Sequence, residues 1–264
     1  MSYLEKFRLD GKVAIITGAG KGIGAGIARA YAEAGADVVL GARTVADLEA
    51  VAADIEALGR RAIIRQTDVM KPEQLEALAS AAREELGRID IVVNNAGGTG
   101  PKPALATSPE EFEAAFRFNV STAFRLSVLC AEDLAATHGN IVNISSIAGD
   151  SPTPCFVSYG TAKAALSFMT RELAAEFAPK VRVNAIAVGS TKTDALNTVL
   201  TDEVEKTMVE MTPMARLGEV EDVALGALYL ASPAAAYVTG ELLNVNGGLI
   251  RSNMLMPRAF GGVG

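Results

Sequence analysis

The alternation of short apolar runs with helical patterns constrains the fold of this chain more than any other feature of its sequence. Residues 13–17 form a short apolar run that a glycine-rich turn closes, and residues 23–34 follow with helical spacing. The same order recurs along the chain. Further strands are predicted at 37–41, 61–67, 89–94, 140–145, 181–187 and 241–245, and helices at 45–58, 72–86, 159–177 and 220–230, with an interrupted helical stretch from 108 to about 134.

Strands that are apolar on both faces and joined by helices indicate a parallel sheet covered on both sides. The predicted fold class is therefore α/β, a doubly wound (Rossmann) parallel sheet of about seven strands with helices on both faces. Half of the 264 residues are hydrophobic, so the chain can bury one large core, and no linker or repeat divides it. We predict a single domain over residues 1–264, with ligands beyond the carboxyl ends of the strands.

The turn after the first strand, residues 17–24, reads TGAGKGIG. Glycines between a strand and a helix let the backbone approach a pyrophosphate, whose charge is stabilised by the amides at the helix N-terminus. The pattern alone is permissive, because both G-x-G-x-x-A and G-x-x-x-G-x-G fit it. Its place directly after the first strand favours a dinucleotide-binding site.

The residues after the second strand bear on which dinucleotide binds. A carboxylate at this place usually accepts hydrogen bonds from the ribose hydroxyls of NAD, but residues 40–44 read LGART and contain no acid. Arg43 can instead pair with a 2′-phosphate, and Lys21 offers a second positive charge. We therefore predict that NADP(H) is favoured over NAD(H). The alternative is that both are ordinary surface cations.

A tyrosine and a lysine lie four residues apart at the start of the helix predicted after residue 158. Tyr159 and Lys163 therefore project from one helix face. A nearby ammonium favours the phenolate and lowers the pKa of a tyrosine from its usual value of about 10. Ser146 lies thirteen positions before Tyr159, where its hydroxyl can hold a substrate oxygen. Its rival Ser145 would point to the opposite face of the sheet.

Composition argues against several other classes. The net charge of −7 and the pI near 4.9 make a nucleic-acid partner improbable. Cys130 and Cys155 form no disulfide framework and no metal-ligand spacing, so we expect reduced thiols and no metal. The only histidine, His138, reads as a helix end capped by Gly139, which disfavours a Ser-His-Asp hydrolase. We see no secretory signal or membrane-spanning run and expect a cytoplasmic protein without a membrane partner.

These motifs occur in the order and at the spacing of the short-chain dehydrogenase/reductase family, which the chain resembles from about residue 9 to residue 248. The resemblance implies a catalytic set of Asn119, Ser146, Tyr159 and Lys163. It implies that cofactor-binding residues are Gly18, Lys21, Gly22, Ile23, Gly24, Arg43, Thr44, Asp68, Val69, Asn95, Ala96, Gly97, Tyr159, Lys163, Gly189, Thr191 and Thr193.

The resemblance also implies a role for each catalytic residue. Tyr159 would be the acid/base, and Ser146 would polarise the substrate carbonyl. Lys163 would hold the nicotinamide ribose and lower the pKa of the tyrosine, and Asn119 would keep a kinked helix and a water in place for proton relay. Asp68 would contact the adenine. The implied activity is hydride transfer between a secondary alcohol or ketone and the cofactor.

The sequence leaves the substrate open. Residues 95–103 and 193–196 resemble the corresponding stretches of bacterial 7α-hydroxysteroid dehydrogenases, but similar loops occur in 3-oxoacyl-carrier-protein reductases. An alternative of another class is a dinucleotide-binding regulatory subunit without activity. The presence of all four catalytic residues disfavours it.

Three further expectations concern the end of the chain. Val188 stands where the family usually has proline, which would relax the backbone that leads into the next segment. We expect residues 190–215 to form a mobile substrate lid. The tail, residues 249–264, is rich in large apolar side chains and is expected to dock on a neighbouring subunit or beside the substrate mouth. The family resemblance implies a homotetramer.

Overall fold

A computed structural model describes residues 2–197 and 200–263 of the chain. Its centre is a seven-stranded sheet in the order β3-β2-β1-β4-β5-β6-β7, and every pair of neighbouring strands is parallel. The strands are β1 (Val13–Thr17), β2 (Asp37–Ala42), β3 (Ala62–Gln66), β4 (Ile91–Asn94), β5 (Asn140–Ser146), β6 (Arg182–Val188) and β7 (Leu242–Val245). The predicted doubly wound parallel sheet is confirmed.

Helices connect the strands and cover both faces of the sheet. They are α1 (Gly22–Glu33), α2 (Val45–Ala57), α3 (Pro72–Ala81), α4 (Pro109–Phe116), α5 (Thr122–Leu129), α6 (Ala131–Thr137), α7 (Val157–Phe177), α8 (Asp194–Asn197), α9 (Asp202–Glu210) and α10 (Val220–Ala231). The predicted stretch from 108 to 134 is divided, because a π-helical turn at Arg117–Ser121 separates α4 from α5.

Two buried clusters form the core, one on each face of the sheet. Within β1, Ile16 packs into the cluster that includes α1 and α10, whereas Ile15 packs into the one that includes α3 and α5. This alternation follows from the two-residue period of a strand. Both faces are apolar, which is why the strands read as continuous hydrophobic runs.

The order of the strands reverses between β1 and β4. Ile15 pairs with Val39 of β2 on one side and with Val92 of β4 on the other. The connections leave this point in opposite directions, so the loops after β1 and β4 diverge and open a crevice at the carboxyl ends of the strands. The sequence predicted a ligand site at this edge.

The end of α6 differs from its prediction. His138, rather than Gly139, takes the left-handed conformation, with φ of 51°. Gly139 is required for another reason, since a Cβ on it would lie 2.3 Å from the backbone oxygen of Asp90. The glycine permits close approach of two chain segments and does not cap the helix.

The segment predicted as a lid carries α8 and α9, although Thr198 and Val199 of that segment lie outside the described residues. Beyond β7 the chain is mostly irregular as far as residue 263. Within residues 2–197 and 200–263, no helix combines the length and apolar character needed to cross a membrane.

Candidate active site

The glycine turn after β1 folds tightly against the start of α1. Gly18 and Gly22 have φ values of 65° and 52°, which side chains other than glycine rarely adopt. A Cβ on Gly24 would lie 2.2 Å from the backbone oxygen of Gly18. Gly24 does not line the crevice, so its contribution is to let the turn pack directly on the helix.

Asn95, at the end of β4, fastens the glycine turn to the neighbouring strand. Its side-chain amide donates to the backbone oxygens of Thr17 and Gly18 at 3.0 and 3.2 Å. The hydroxyl of Thr17 in turn accepts from the backbone N–H groups of Asn95 and Ala96. These bonds fix the two loops that border the crevice.

The crevice fits a dinucleotide. A cavity of about 760 Å³ runs along the ends of β1, β2 and β4, and a second of about 660 Å³ lies beside the ends of β5 and β6. Both are lined by Lys21 and by residues 97–100. Among the described residues, no side chain hydrogen-bonds to the N-terminal amides of α1, which leaves these donors for a phosphate.

The adenosine end of the crevice contains an acid that the sequence reasoning missed. Arg43 and Thr44 line the first cavity and are exposed, as predicted for a phosphate contact. Asp47, in the first turn of α2, lines it too and forms an ion pair with Lys21 at 3.3 Å. The preference for acids in the first turn of a helix was the available signal. Two cations, Lys21 and Arg43, and the Asp47 carboxylate therefore lie at this end of the crevice.

Asp68 and Val69 follow β3 and line the same cavity. The carboxylate of Asp68 accepts from the backbone N–H of Met70 at 3.0 Å, and its own N–H donates to the Gln74 side chain at 2.6 Å. The loop is thus fixed by local hydrogen bonds with the carboxylate at its edge. The adenine contact that the resemblance implies for Asp68 stays a prediction.

Asn119 lies in the π-helical turn and is 2% exposed. Its side-chain oxygen accepts from the N–H of Gly98 at 2.8 Å, and its amide donates to the Ala115 oxygen at 2.9 Å. A Cβ on Gly97 would lie 2.7 Å from the Asn119 oxygen and 3.3 Å from the Lys163 nitrogen. Asn119 therefore supports the loop after β4 from behind rather than lining the cavity.

Ser146, Tyr159 and Lys163 meet at the second cavity. The Lys163 ammonium is buried, lies 5.7 Å from the centroid of the Tyr159 ring and donates to the Ile144 oxygen at 2.8 Å. Burial lowers the pKa of Lys163 to about 8. Burial also raises the pKa of Tyr159, and a hydrogen bond with Ser146 lowers it only in part.

The direction of the Tyr159 shift differs from the sequence expectation. We predicted that the ammonium of Lys163 would lower the pKa of the phenol. In the structure the pKa is raised, because burial disfavours the phenolate. The phenol is therefore protonated at neutral pH.

The two neighbouring serines have different surroundings. The hydroxyl of Ser145 is buried, donates to the Lys163 backbone oxygen at 3.1 Å and lies 2.8 Å from that of Ser167, within α7. Ser146 is only partly buried, accepts from the backbone N–H of Ala148 at 3.2 Å and lines the second cavity together with Tyr159. Of the two hydroxyls, that of Ser146 has the geometry to meet a substrate oxygen beside the phenol.

Val188 does not disturb the end of β6. It pairs with Ser146 on one side and with Val245 on the other, and the N–H of Gly189 donates to the Val245 oxygen at 3.0 Å. The sheet therefore holds the backbone at Val188 itself, and the expected relaxation of the segment that follows stays a prediction. Gly189, Thr191 and Thr193 then follow along the second cavity.

Side chains from the loop after β5, the predicted lid and the predicted tail complete the wall of the second cavity. They are Ile147, Thr153, Phe156, Leu196, Asn253 and Met254. The last two belong to the predicted tail, which packs against its own chain beside Tyr159. Most of these groups are apolar, so the cavity is suited to a substrate with a large apolar surface.

Comparison with known proteins agrees with this geometry. A family model described as enoyl-(acyl carrier protein) reductase matches residues 18–250. The 7α-hydroxysteroid dehydrogenase of Escherichia coli (strain K12) is 43% identical over 251 residues, which cover 92% of this chain and 96% of that protein.

Solved structures are similar over almost the whole chain. A 7α-hydroxysteroid dehydrogenase complexed with NADH and 7-oxo glycochenodeoxycholic acid gives a TM-score of 0.92 at 42% identity, covering 96% of this chain and 100% of that one. A gluconate 5-dehydrogenase from Burkholderia cenocepacia J2315, in complex with NADP and tartrate, gives 0.87 at 33% identity, covering 94% and 98%. With its parallel sheet, glycine turn and Ser-Tyr-Lys cluster, the chain belongs to the short-chain dehydrogenase/reductase family of NAD(P)-dependent oxidoreductases that act on alcohol and ketone groups.

Proposed function

We propose that the protein interconverts a secondary alcohol and a ketone with NADP(H), and that its substrates are hydroxysteroid-like. The observation that carries the proposal is that Ser146, Tyr159 and Lys163 line one cavity, which adjoins the dinucleotide crevice. A protonated phenol and a hydroxyl that converge on one point can hold and protonate a single substrate oxygen.

The chain's own residues would hold the cofactor in extended form. The α1 N-terminus and its glycine turn would receive the pyrophosphate, with Asp68 and Val69 at the adenine and Lys163 at the nicotinamide ribose. When bound, the nicotinamide supplies a carbon that gives or accepts a hydride. The loop after β4, held by Asn119, borders the nicotinamide end.

Proton transfer is the task of the catalytic side chains. In ketone reduction the Tyr159 phenol donates its proton to the substrate oxygen, and Ser146 donates a second hydrogen bond that stabilises the developing charge. The buried ammonium of Lys163 stabilises the phenolate that remains. Asn119 positions the helix turn beside Lys163, and the predicted water relay would return the proton from solvent.

The substrate class rests on the cavity and on the relatives. The second cavity, about 660 Å³, includes the nicotinamide end of the crevice, and beside it Phe156, Leu196 and Met254 form an apolar wall that suits a polycyclic ketone. The similar 7α-hydroxysteroid dehydrogenases point to the same chemistry. We propose residues 190–215, with α8 and α9, as a lid over this cavity.

A 3-oxoacyl-thioester reductase is the second candidate. It is supported by a relative from Vibrio cholerae named 3-oxoacyl-[acyl-carrier-protein] reductase, which is 36% identical over 243 residues. The two candidates are separated by assaying NADPH oxidation with a 7-oxo bile acid and with an acetoacetyl thioester. Turnover of the thioester alone would replace the first proposal with the second.

Arg43→Asp is expected to lower the ratio of kcat/KM for NADP to that for NAD at least about tenfold, because a charge-assisted hydrogen bond to the 2′-phosphate is lost and a repulsive charge is introduced. Steady-state kinetics with both cofactors measure this ratio. Asp47→Asn is the matched variant and should raise it, since a carboxylate leaves the same end of the crevice. An unchanged ratio in Arg43→Asp would remove Arg43 as the selector.

The expected homotetramer also stays a proposal. Exposed aromatic and aliphatic side chains cluster on α4, α5 and α7: Phe116, Phe124, Val128 and Phe168. An exposed apolar patch of this kind is suited to contact with other copies of the chain. Light scattering is expected to give the mass of four chains. The mass of one chain would contradict the proposal.

A further inference from the structure

A side-chain amide from the tail is buried between elements that are distant in sequence. Asn253 follows β7 in an irregular segment, yet its side chain is 1% exposed. A buried amide is stable only where its oxygen and its N–H groups find partners.

Asn253 finds these partners in two other segments. Its oxygen accepts from the Ser190 hydroxyl, just after β6, at 2.6 Å. Its amide donates to the Met208 backbone oxygen at 3.1 Å and to the Thr212 hydroxyl at 3.0 Å, at the end of α9. One side chain therefore joins both ends of the proposed lid segment.

The adjacent residue extends the connection to a third segment. The N–H of Ser252 donates to the hydroxyl of Ser151 at 3.0 Å. Ser151 is buried and lies in the loop between Ser146 and Tyr159. The backbone and side-chain bonds of residues 252–253 thus form a three-way junction between the loop after β5, the start of the lid segment and α9.

The junction forms part of the wall of the substrate cavity. Ser190, Ser252 and Asn253 line the same cavity as Tyr159, whereas none of them lines the first cavity, at the adenosine end of the crevice. A change in the junction should therefore alter the shape of the substrate cavity and leave the adenosine end unaffected.

We propose that Asn253 is a positioning residue for the substrate: its amide fixes α9 and the start of the lid segment in the arrangement that binds the substrate beside Tyr159. This inference rests on the proposed function for its kinetic consequence. Its structural consequence, that α9 is held in place by Asn253, can be measured without any substrate.

The kinetic test uses Asn253→Ala with NADPH and a 7-oxo bile acid. We expect KM for the ketone to rise about tenfold, as for the loss of buried hydrogen bonds. We expect kcat to change less than about threefold and the NADPH dissociation constant less than about twofold, because substitutions at distant sites usually act independently. An unchanged KM would overturn the proposal. Asn244→Ala, an exposed asparagine in β7, is the matched control.

Thr212 gives an independent test of the same bond. Thr212→Val removes the hydroxyl that accepts from Asn253 and should raise KM, whereas Thr212→Ser keeps the hydroxyl and should restore it. In the Asn253→Ala background, Thr212→Val should add little, because the bond is already lost. If the effects of the two substitutions on KM are fully additive, the direct hydrogen bond between Asn253 and Thr212 is contradicted.

Hydrogen–deuterium exchange separates failure of this inference from failure of the proposed function. In Asn253→Ala the amides of α9 should exchange at least about tenfold faster than in the wild type, while those of α7 stay unchanged. This result supports the junction even where the ketone is not turned over. Unchanged exchange of α9 would overturn the inference whatever the activity.

Discussion

Tyr159→Phe is expected to lower kcat for ketone reduction by a factor of about 10²–10⁴, the range for loss of a positioned general acid. The substitution removes only the hydroxyl, so the ring still packs against Phe156 at 5.9 Å between centroids. Without the phenol, the proposed proton donor to the substrate oxygen is lost, and the Ser146 hydroxyl remains beside it. The Ser146 hydroxyl is a much weaker acid than the phenol.

The measurement is the single-turnover rate with saturating NADPH, together with the NADPH dissociation constant from fluorescence. The latter should change less than about threefold, since the phenyl ring keeps its place. Tyr31→Phe is the matched control, because the buried Tyr31 hydroxyl donates to the Ala227 oxygen far from the crevice. Tyr31→Phe should lower the free energy of unfolding by about 1 kcal/mol and leave turnover intact. A Tyr159→Phe enzyme with most of the wild-type rate would exclude Tyr159 as the acid.

Gly24→Ala is expected to weaken NADPH binding roughly 10- to 100-fold, which corresponds to the usual cost of overpacking. The new methyl would lie 2.2 Å from the Gly18 oxygen and 2.6 Å from the Asn95 amide nitrogen. The first of these atoms is backbone and cannot move alone. The glycine turn must therefore separate from α1, and the amides that receive the pyrophosphate lose their alignment.

Isothermal titration with NADPH measures this effect. Gly139→Ala is the matched control, because its methyl would meet the Asp90 backbone oxygen at 2.3 Å at the opposite end of the sheet. It should lower the melting temperature while the folded protein binds NADPH as the wild type does. If Gly24→Ala binds NADPH with wild-type affinity, the glycine turn does not contact the pyrophosphate.

The sheet could be predicted because its strands carry their own signal. β1 and β4 are apolar on both faces, and the consecutive residues Ile15 and Ile16 pack into separate clusters. A strand that is buried on both sides therefore appears in the sequence as an unbroken run of apolar residues. The sequence predicts interruptions in the helical stretch from 108 to about 134, but its periodicity does not locate the one between α4 and α5. Its cause is a π-helical turn, which keeps the helical spacing of the sequence almost unchanged.

The positions of the candidate catalytic residues could be predicted from spacing, since Tyr159 and Lys163 share a helix face and Ser146 ends a strand. The direction in which the pKa of Tyr159 is shifted could not be predicted in this way. The pKa of Tyr159 is raised by burial of the phenol, and burial is not a local property of the sequence.

Long-range contacts account for the other features that the sequence did not reveal. Asp47 reads as an ordinary acid in the first turn of a helix, and only the fold brings it to Lys21. Asn253 lies in an irregular tail, and its partners Ser190 and Thr212 are 63 and 41 residues away. Such contacts carry no periodic signal, because they form only when distant elements have already packed.

The central claim is that the chain is a catalyst and not only a dinucleotide-binding protein. It is tested most directly by the rate of NADPH oxidation by the wild type across a panel of ketones that includes 7-oxo bile acids and acyl thioesters. We predict turnover, fastest with a 7-oxo bile acid, and its loss in Tyr159→Phe. Tight NADPH binding without oxidation of NADPH by any ketone of the panel would contradict the account.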